Sequence, residues 1–537
     1  MIPLPTVFNA ATHFVDRNVR EGSGIKTALE CGDELVSYQQ LLERTNRSGN
    51  LLRQLEVRPG ERVVLILRDS PEFLYVFFGA IKIGAIAVPT NTLLKPAEYE
   101  YVLNDTQARV VLVTDALLPQ LQSIPRGHLK YLREIVVVGE KSQSHLRFHE
   151  SMTSASPDLE AQATSKDDAA FWLYSSGSTG PPKGCIHRQR DMVVCSELYA
   201  KGILRMSDRD RCYSVARLFF AYGLGNAGYF PLSCGATSIL SPELPTPAGI
   251  YADIERYRPT LFFSVPSNYA GLLAYSRKQG SEFDLSSVRH AISAGEALPA
   301  PLFDRFKQRF GVEILDAWGS TETLQMALSN RPGEPRPGSS GKVIPGYEAK
   351  LVNDRGEEVP RGEIGRLLIK GDSTCAGYWN QPEKTSETFQ GHWFRTGDKY
   401  QQDEEGYFWY AGRADDMFKV NGRWLSPTEV ESALIAHPAV REAAVVARED
   451  EDGLTKPAAC VVVNPDVRAD DALATDLQHW VAQRIGAYKR PRWVSFLSEL
   501  PKTATGKVQR FRLRELQAER AQNRFSADAS ESSPERG

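Results

Sequence analysis

The sequence predicts a protein of the α/β class, with a large N-terminal part built on parallel-rich sheets and a smaller α+β domain after it. Three observations support this prediction. From about residue 37 to residue 350, helical patterns alternate with short apolar runs, which is typical of parallel strands covered on both faces. Past Tyr347 the pattern changes to hairpins. The length of 537 residues is also too great for a single hydrophobic core.

The large part alternates helices and strands in chain order. TNRSGNLLRQLEV predicts a helix, ERVVLIL a strand, SPEFLYVFFGAIKIG a capped helix and AIAVP a strand, and DTQARVVLVTD and LREIVVVG predict two more strands. Two later segments repeat a strand–loop–helix order: YRPTLFFSVPSNYAGLLAY and VRHAISAGEALPAPLFDRFKQRFG. Their loops are small and polar and follow strand carboxyl ends, which is where α/β proteins bind ligands.

The C-terminal part begins with two predicted hairpins, YEAKLVNDRGEEVPRGEIGRLLIKG and GYFWYAGRADDMFKVNGRWLSP. Their turns are expected at Asp354-Arg355-Gly356 and at Asn421-Gly422. SPTEVESALIAHPAV and DLQHWVAQRIG then predict helices, and REAAVVARED and PAACVVVNP predict strands. These elements form a small α+β unit from roughly residue 416 onward, and the polar tail FSADASESSPERG is expected to be disordered.

Composition argues against several classes of function. A net charge of −3 is unfavourable for a general binder of nucleic acids or anionic membranes. The N-terminus lacks the pattern of a signal peptide, and the run from Phe73 to Pro89 is too short for a bilayer span and carries Lys82. The seven scattered cysteines form no C-x-x-C and the histidines no H-E-x-x-H. We therefore expect a cytoplasmic protein with reduced thiols that binds neither nucleic acid nor membrane.

The ribbon YSSGSTGPPKG is the densest stretch of glycine and hydroxyl residues in the chain. It does not match the Walker A pattern, because two prolines precede Lys183 and a glycine follows it. Backbone N–H groups, hydroxyls and the lysine could nevertheless converge on an anion. From composition alone, a flexible surface loop is an equally good interpretation.

The order of residues in this ribbon resembles the signature [YF]-[ST]-S-G-[ST]-T-G-x-P-K-G of the adenylate-forming superfamily, which includes acyl-CoA synthetases, aryl-CoA ligases and peptide-synthetase adenylation domains. Further motifs resembling that superfamily follow in order: SAGEALP, DAWGSTET, WFRTGD, GRADDMFKVNGRWLSPTEVE and PKTATGKVQR. The resemblance covers the chain apart from its tail. It implies an N-terminal domain over 1–414 that adds a distorted β-barrel to the sheets, a mobile lid domain over 415–523 after a hinge at Asp415, and a tail over 524–537.

The resemblance also implies roles for single residues. Thr321 would donate to the α-phosphate of ATP, Glu322 would hold Mg²⁺, and Lys507 would bridge the substrate carboxylate and the α-phosphate during adenylation. Asp398 would accept the ribose hydroxyls with help from Arg413, and Trp318 offers a flat face to adenine. The residues implied to bind ATP or coenzyme A are Ser175, Ser176, Gly177, Ser178, Thr179, Gly180, Lys183, Gly295, Glu296, Ala297, Asp316, Ala317, Trp318, Asp398, Arg413, Lys419, Gly422 and Trp424.

The predicted acid pocket lies in RLFFAYGLGN, which contains no carboxylate to pair an α-ammonium group, so an amino-acid substrate is disfavoured. The stretch resembles the benzoate-CoA ligase branch, whose pocket is an apolar slot for one aromatic ring. By that resemblance the pocket residues are Phe220, Ala221, Tyr222, Gly223, Gly319, Gln325 and Met326. Gln325 stands where benzoate and anthranilate ligases usually carry histidine. Because glutamine has a donor and an acceptor, we expect a polar ring substituent, amino or hydroxyl.

The function implied is that of an ATP-dependent aryl-CoA ligase, active as a monomer or homodimer, that uses ATP, Mg²⁺ and coenzyme A with a benzoate-type acid such as benzoate, an aminobenzoate or a hydroxybenzoate. A stand-alone enzyme that loads an aryl group onto a carrier-protein thiol is the main alternative. A non-catalytic nucleotide-binding protein is a rival of another class, and a luciferase-type oxygenase is a more distant one.

Overall fold

The computed structural model describes residues 2–142, 144–175, 181–275, 283–413, 416–420, 423–450, 454–502 and 508–519. The predicted turn at Asn421-Gly422, the hinge at Asp415 and the tail over 524–537 lie outside these ranges. None of the helices in the described ranges is long and apolar enough to span a membrane.

A nine-stranded sheet forms the centre of the large part. Its strands, in spatial order, are Lys342–Val343, Met326–Ser329, Ile314–Gly319, His290–Ser293, Leu261–Ser264, Arg211–Ser214, Thr237–Leu240, Thr27–Cys31 and Glu34–Ser37. The pairs from Ile314–Gly319 across to Thr27–Cys31 are parallel, and the pairs beyond them at both edges are antiparallel. The loops after Ser264 and Ser293 therefore leave one edge of the sheet side by side, as the sequence predicted.

A seven-stranded sheet carries the glycine-rich ribbon. Its strands, in spatial order, are Leu146–Arg147, Glu134–Val138, Val110–Thr114, Arg62–Ile66, Ile86–Pro89, Ala169–Ser175 and Lys183–Arg188. All pairs are parallel except the last, which is an antiparallel hairpin in which Ser175 lies opposite Lys183. The described residues at the two ends of the ribbon are thus paired with each other.

Helices cover both sheets. The helix Pro71–Lys82 is buried almost throughout because its sequence is apolar on nearly every face. It packs against the helix Tyr38–Gln54 at two glycines: a Cβ added to Gly79 would lie 2.9 Å from the backbone nitrogen of Gly49, so neither helix has room there for a side chain. The other α-helices of the large part are Arg17–Arg20, Pro96–Asp105, Leu118–Gln122, Phe148–Ser154, Asp191–Cys195, Ala221–Gly223, Phe230–Cys234, Pro247–Tyr257, Pro266–Ala274, Ala300–Phe310 and Pro382–Thr388.

A curled antiparallel sheet forms the predicted distorted barrel, as a half-barrel. Its strands are Tyr347–Val352, Ile364–Gly371, Phe389–Gln390, Trp393–Gln402 and Phe408–Arg413. One prediction was partly wrong here. The strand Phe408–Arg413 pairs with Trp393–Gln402 and not with the residues that follow it, because the WFRTGD strand offers it a longer antiparallel partner.

The small α+β part follows. A two-stranded ribbon pairs Phe418–Val420 with Arg423–Leu425, and a three-stranded sheet joins Val440–Glu449, Thr455–Val463 and Trp493–Phe496. The helices Pro427–Ile435 and Asp471–Ile485 pack on it through a separate core of aliphatic side chains. A final helix is described from residue 510 to residue 519. The predicted α+β arrangement is confirmed.

Candidate active site

The phosphate-side motifs meet around the side chain of Glu322. Its Oε1 atom accepts hydrogen bonds from Ser175 Oγ at 3.4 Å and from the hydroxyl of Tyr378 at 2.9 Å. Lys183 Nζ lies 5.0 Å from the centre of the Tyr378 ring. Burial and the nearby charge of Glu322 raise the pKa of Tyr378, so the hydroxyl stays a donor. The two strand ends of the ribbon hairpin and the DAWGSTET turn therefore converge on one tyrosine.

Tyr378 was missed by the sequence reasoning. It lies in a loop between the barrel strands and an α-helix, in a segment with no recognisable motif, and its backbone forms an isolated bridge to Cys185. Only the fold brings it to Glu322, so the spacing of residues along the chain gave no signal.

Several predicted site residues lie outside the described ranges: Ser176, Gly177, Ser178, Thr179, Gly180, Asp415, Gly422 and Lys507. Their roles stay predictions, as does that of the Trp424 side chain. Lys419 is described; it is exposed on the strand Phe418–Val420 and pairs in register with Trp424.

The two adenine-side motifs are joined by Asp316. Its Oδ2 accepts a hydrogen bond from the backbone nitrogen of Leu298 at 3.4 Å, next to the predicted loop residues Gly295, Glu296 and Ala297. Gly295 has a φ of +91°, a conformation that favours glycine. Burial raises the pKa of Asp316 well above its usual range, and its Oδ1 atom is buried with no hydrogen-bond partner among the described residues. A buried oxygen of this kind needs a ligand or a water.

The predicted ribose carboxylate is held by two donors. Trp318 Nε1 donates to Asp398 Oδ2 at 2.9 Å, and Arg413 Nη1 donates to Asp398 Oδ1 at 3.1 Å. Asp398 and Arg413 face each other across paired barrel strands, which explains their contact. Trp318, predicted only as a flat surface, thus also orients Asp398.

The predicted ring pocket is organised by Tyr222 and Gln325. The Tyr222 hydroxyl lies 3.1 Å from the carbonyl oxygen of Ile292 and 3.2 Å from that of Ser264, which fixes the ring against the strand ends. Gln325 is buried, and its Nε2 atom donates to the carbonyl oxygens of Ala221 at 2.7 Å and Tyr222 at 3.1 Å. Two carbonyl partners require the amide nitrogen on that side.

This arrangement changes the expectation for Gln325. Its donor is used by the backbone and only its acceptor remains, since Oε1 is buried without a hydrogen-bond partner among the described residues. Met326 is buried beside it, and a Cβ at Gly319 would lie 2.6 Å from the Gln325 carbonyl oxygen and 3.0 Å from Met326 Sδ. Gly319 therefore has no room for a side chain. Of the remaining predicted pocket residues, Phe220 precedes the short helix Ala221–Gly223, and Gly223 is the last residue of that helix.

A buried ion pair fixes the start of the pocket segment, and the sequence did not reveal it. Asp69 follows the strand Arg62–Ile66; its Oδ1 accepts a hydrogen bond from Leu218 N at 3.1 Å, and its Oδ2 lies 3.7 Å from Arg217 Nη1. Burial raises the pKa of Asp69 to about 6 despite the positive charge of Arg217. Tyr213 and Cys31, which also face Asp69, have pKa values raised far above neutral and stay uncharged.

We predict a pH-dependent stability effect at Asp69. Because its pKa of about 6 in the fold exceeds the ordinary value of 3.8, the wild type loses free energy of unfolding as the pH rises from about 4 to about 6, and Asp69→Asn does not. The difference in free energy of unfolding between variant and wild type should change by about 3 kcal/mol across this window, in favour of the variant at high pH. Urea unfolding followed by tryptophan fluorescence measures this difference, and a flat difference would contradict the prediction.

The segment after the predicted catalytic lysine contacts both parts of the chain. The backbone nitrogen of Val508 donates to Glu296 Oε1 at 2.7 Å, which joins this segment to the adenine-side loop. Arg510 makes two hydrogen bonds to Glu431, at 2.6 and 2.7 Å, and Arg514 pairs with Asp416 beside the predicted hinge. The residue adjacent to Lys507 is thus bound at the candidate nucleotide site.

The phosphate side of the candidate site offers the carboxylate of Glu322 to a Mg²⁺ ion. The described residues hold no cluster of three or more His, Cys, Asp or Glu side chains. Glu322 is a carboxylate in contact with Ser175 of the ribbon, and no described residue donates a hydrogen bond to its Oε2 atom. A single carboxylate fits Mg²⁺, which proteins commonly hold through one or two carboxylates together with substrate phosphates.

The chain was compared with known proteins. The model of the AMP-binding enzyme family matches residues 15–379, and that of the AMP-binding enzyme C-terminal domain matches residues 429–507. The chain is 46% identical to the benzoate–CoA ligase of Thauera aromatica, over 96% of this chain and 97% of that protein. It is 42% identical to the 4-hydroxybenzoate–CoA/benzoate–CoA ligase of Rhodopseudomonas palustris, over 95% and 94%.

Among solved structures, the chain resembles the anthranilate CoA ligase AuaEII in complex with anthranoyl-AMP, with a TM-score of 0.93, 44% identity and coverage of 96% of this chain and 99% of that one. The family models cover the nine-stranded and seven-stranded sheets and much of the small α+β part, and they leave out residues 380–428, which carry Asp398 and Arg413. Motifs, fold and family models agree, and the chain belongs to the AMP-binding enzyme family.

Proposed function

We propose that this chain is an ATP-dependent aryl-CoA ligase, which converts a benzoate-type acid to its acyl-adenylate with release of pyrophosphate and then transfers the acyl group to coenzyme A. The observation that carries the proposal is the identity of 46% to a benzoate–CoA ligase over 96% of the chain. The ring pocket supports it, because Ala221, Tyr222, Gln325 and Met326 are buried or half-buried around Gly319.

In the first half-reaction, a substrate carboxylate oxygen attacks the α-phosphorus of ATP and pyrophosphate leaves. The Thr321 hydroxyl donates a hydrogen bond to the α-phosphate, and Lys507 bridges the substrate carboxylate and that phosphate. Both residues therefore compensate negative charge at the place where it increases during the reaction. Thr179 and Lys183 hold the leaving phosphates. Asp398 and Arg413 orient the ribose, and the partnerless Oδ1 of Asp316 lies on the adenine side. Glu322 would hold Mg²⁺, whose charge would offset that of the phosphates.

In the second half-reaction, the thiol of coenzyme A attacks the acyl carbon and AMP leaves. We propose that the domain over 415–523 turns about Asp415 between the two steps and brings Lys419, Gly422 and Trp424 to the thiol, while the domain over 1–414 keeps the adenylate. The bond from Val508 to Glu296 supports this division, because it binds the segment next to Lys507 in the arrangement needed for adenylation.

The pocket favours an acid with a hydrogen-bond donor on its ring. A buried acceptor without a partner costs about 1–3 kcal/mol, and an amino or hydroxyl substituent would satisfy Gln325 Oε1. We therefore propose an aminobenzoate or hydroxybenzoate as the preferred substrate, with benzoate accepted less well.

An acid panel tests the function. Benzoate, 2-aminobenzoate and the hydroxybenzoates are each supplied with ATP, and pyrophosphate release is measured with and without coenzyme A. Acid-dependent pyrophosphate release together with an aryl-CoA thioester supports the proposal. Release of pyrophosphate without a thioester would indicate an enzyme that loads a carrier protein, and no release with any acid would overturn the proposal.

A substitution tests the role of Gln325. Gln325→Leu should shift the ratio of kcat/KM for 2-aminobenzoate over benzoate by about 10-fold towards benzoate, because leucine offers no acceptor to the ring substituent. Steady-state kinetics with both acids measures the ratio. Unchanged acid ranking in a folded variant would show that Gln325 Oε1 does not contact the substituent.

A further inference from the structure

Three successive backbone carbonyls of the turn after the strand Ile314–Gly319 are each held by a donor from outside the turn. The acceptors and donors are Thr321 O with His187 Nε2 at 2.9 Å, Glu322 O with Cys375 N at 2.7 Å, and Thr323 O with Ser373 Oγ at 2.8 Å. This turn carries the two groups proposed to act on the α-phosphate and Mg²⁺. Its backbone is therefore fixed residue by residue.

His187 differs from the other two donors because it comes from the ribbon hairpin. It lies on the strand Lys183–Arg188, four residues after Lys183, and its ring is fully buried and stacked on Phe171 at 5.1 Å. The Thr321 carbonyl can only accept, so His187 Nε2 carries a hydrogen. His187 Nδ1 faces the buried carboxylate of Asp191 at 3.4 Å.

Asp191 and Arg188 connect this histidine to the segment that holds the other two carbonyls. Asp191 accepts hydrogen bonds from Arg188 N at 2.9 Å and Arg188 Nε at 3.2 Å. Arg188 Nη2 donates in turn to the carbonyl oxygens of Asp372 at 3.2 Å and Thr374 at 2.6 Å. The hairpin, the turn and the segment 372–375 thus form one closed set of hydrogen bonds.

We infer that His187 is a positioning residue for adenylation, which holds the turn of Thr321 and Glu322 in register with the hairpin of Lys183. It contacts no substrate itself. Without its N–H group the Thr321 carbonyl keeps only the bond from Leu324 N inside the turn, at 3.1 Å, and loses the bond that joins it to the strand of Lys183, so the turn can shift relative to that strand. A misplacement of about 1 Å can slow a reaction about 100-fold. The inference depends on the proposed ligase function.

Two polar replacements of His187 distinguish a role in positioning the turn from a role in packing. The amide nitrogen of glutamine reaches about as far as Nε2, so His187→Gln keeps a donor for Thr321, whereas the shorter His187→Asn keeps one only near Asp191. We expect His187→Asn to lower kcat for acid-dependent pyrophosphate release about 10-fold to 100-fold, with KM for the acid changed less than about threefold. His187→Gln should recover most of kcat. Calorimetric titration with ATP, without acid, adds a readout that needs no turnover, and the Asn variant should bind ATP more weakly than the Gln variant.

Gln189→Ala is the matched control. Gln189 is also fully buried, two residues further along, but its Oε1 accepts from Ala10 N at 2.8 Å, away from the turn. Its loss should lower the melting temperature without changing kcat or ATP binding. Equal rates for His187→Asn and His187→Gln, or a fall in kcat for Gln189→Ala as large as that for His187→Asn, would overturn the inference. A wild type with no acid-dependent pyrophosphate release would instead refute the proposed function.

Discussion

Lys507→Ala is expected to slow acid-dependent pyrophosphate release by about 100-fold to 1000-fold and to leave thioester formation from a preformed aryl-adenylate within about threefold of wild type. The physical reason is that the lysine charge compensates the carboxylate and α-phosphate only while they react with each other. In thiolysis the bond between the carboxylate oxygen and the α-phosphorus is already formed. Single-turnover assays of each half-reaction measure the two effects separately.

The surroundings of Lys507 explain why a flexible side chain can act at a defined point. Lys502 and Val508 form a backbone bridge, and Gln509 N donates to Pro501 O at 2.8 Å, so the described residues on the two sides of positions 503–507 are bonded to each other. Val508 N then binds Glu296 at 2.7 Å. The backbone on the C-terminal side of the lysine is thus fixed at the adenine-side loop.

Lys502→Ala is the matched control for this prediction. Lys502 forms the backbone bridge to Val508, but its Nζ pairs with Glu442 at 2.5 Å, inside the proposed small domain. Its removal should change neither half-reaction beyond about threefold, since this half-buried ion pair joins two residues that have no predicted role in either half-reaction. Equal losses in both half-reactions for Lys507→Ala would contradict the proposal that the small domain takes two orientations.

Asp398→Ala should lower kcat/KM for ATP by about 100-fold to 1000-fold, a loss of about 3–4 kcal/mol. Two hydrogen bonds from the ribose to a charged acceptor would be lost. The substitution also leaves Trp318 Nε1 without its acceptor at 2.9 Å and Arg413 without its ion pair at 3.1 Å. Initial rates at varied ATP and saturating acid provide the measurement, together with calorimetric titration of ATP.

Asp403→Ala separates the ribose effect from a general effect on the barrel. Asp403 lies just beyond the barrel strand that carries Asp398 and also accepts an indole N–H, from Trp409 Nε1 at 2.8 Å. Its removal should cost stability and leave kcat/KM for ATP within about threefold of wild type. If both variants lost kcat/KM for ATP to the same degree, Asp398 would have no special role towards the nucleotide.

The sequence predicted those parts of the fold that depend on local patterns. Runs such as VVLIL in ERVVLIL are apolar at every position, and such runs form strands covered on both faces, here Arg62–Ile66. The two strand–loop–helix segments were predicted for the same reason, and their strands, Leu261–Ser264 and His290–Ser293, are neighbours. The pairing of Phe408–Arg413 was not predictable, because two possible partners flank it and only the closure of the barrel decides between them.

The candidate site was predictable where a motif spans consecutive residues and not where distant side chains meet. Trp318 and Asp398 are 80 positions apart, so the hydrogen bond between them has no sequence signal. Tyr378 and Asp69 have none for the same reason. Gln325 shows a second limit: its residue type reveals a donor and an acceptor, but only the fold shows that the backbone already takes the donor.

The contacts of the segment 508–514 contribute to the energy that the proposed domain motion requires. Its bonds from Arg510 to Glu431 and from Arg514 to Asp416 lie within the proposed small domain, and burial of Arg510 makes the first of them costly to break. The bond from Val508 to Glu296 crosses between the domains and involves one N–H group, which water can replace at a cost of about 1 kcal/mol. The segment would therefore move with the proposed small domain, and its own contact with the large domain would break at a cost of about 1 kcal/mol.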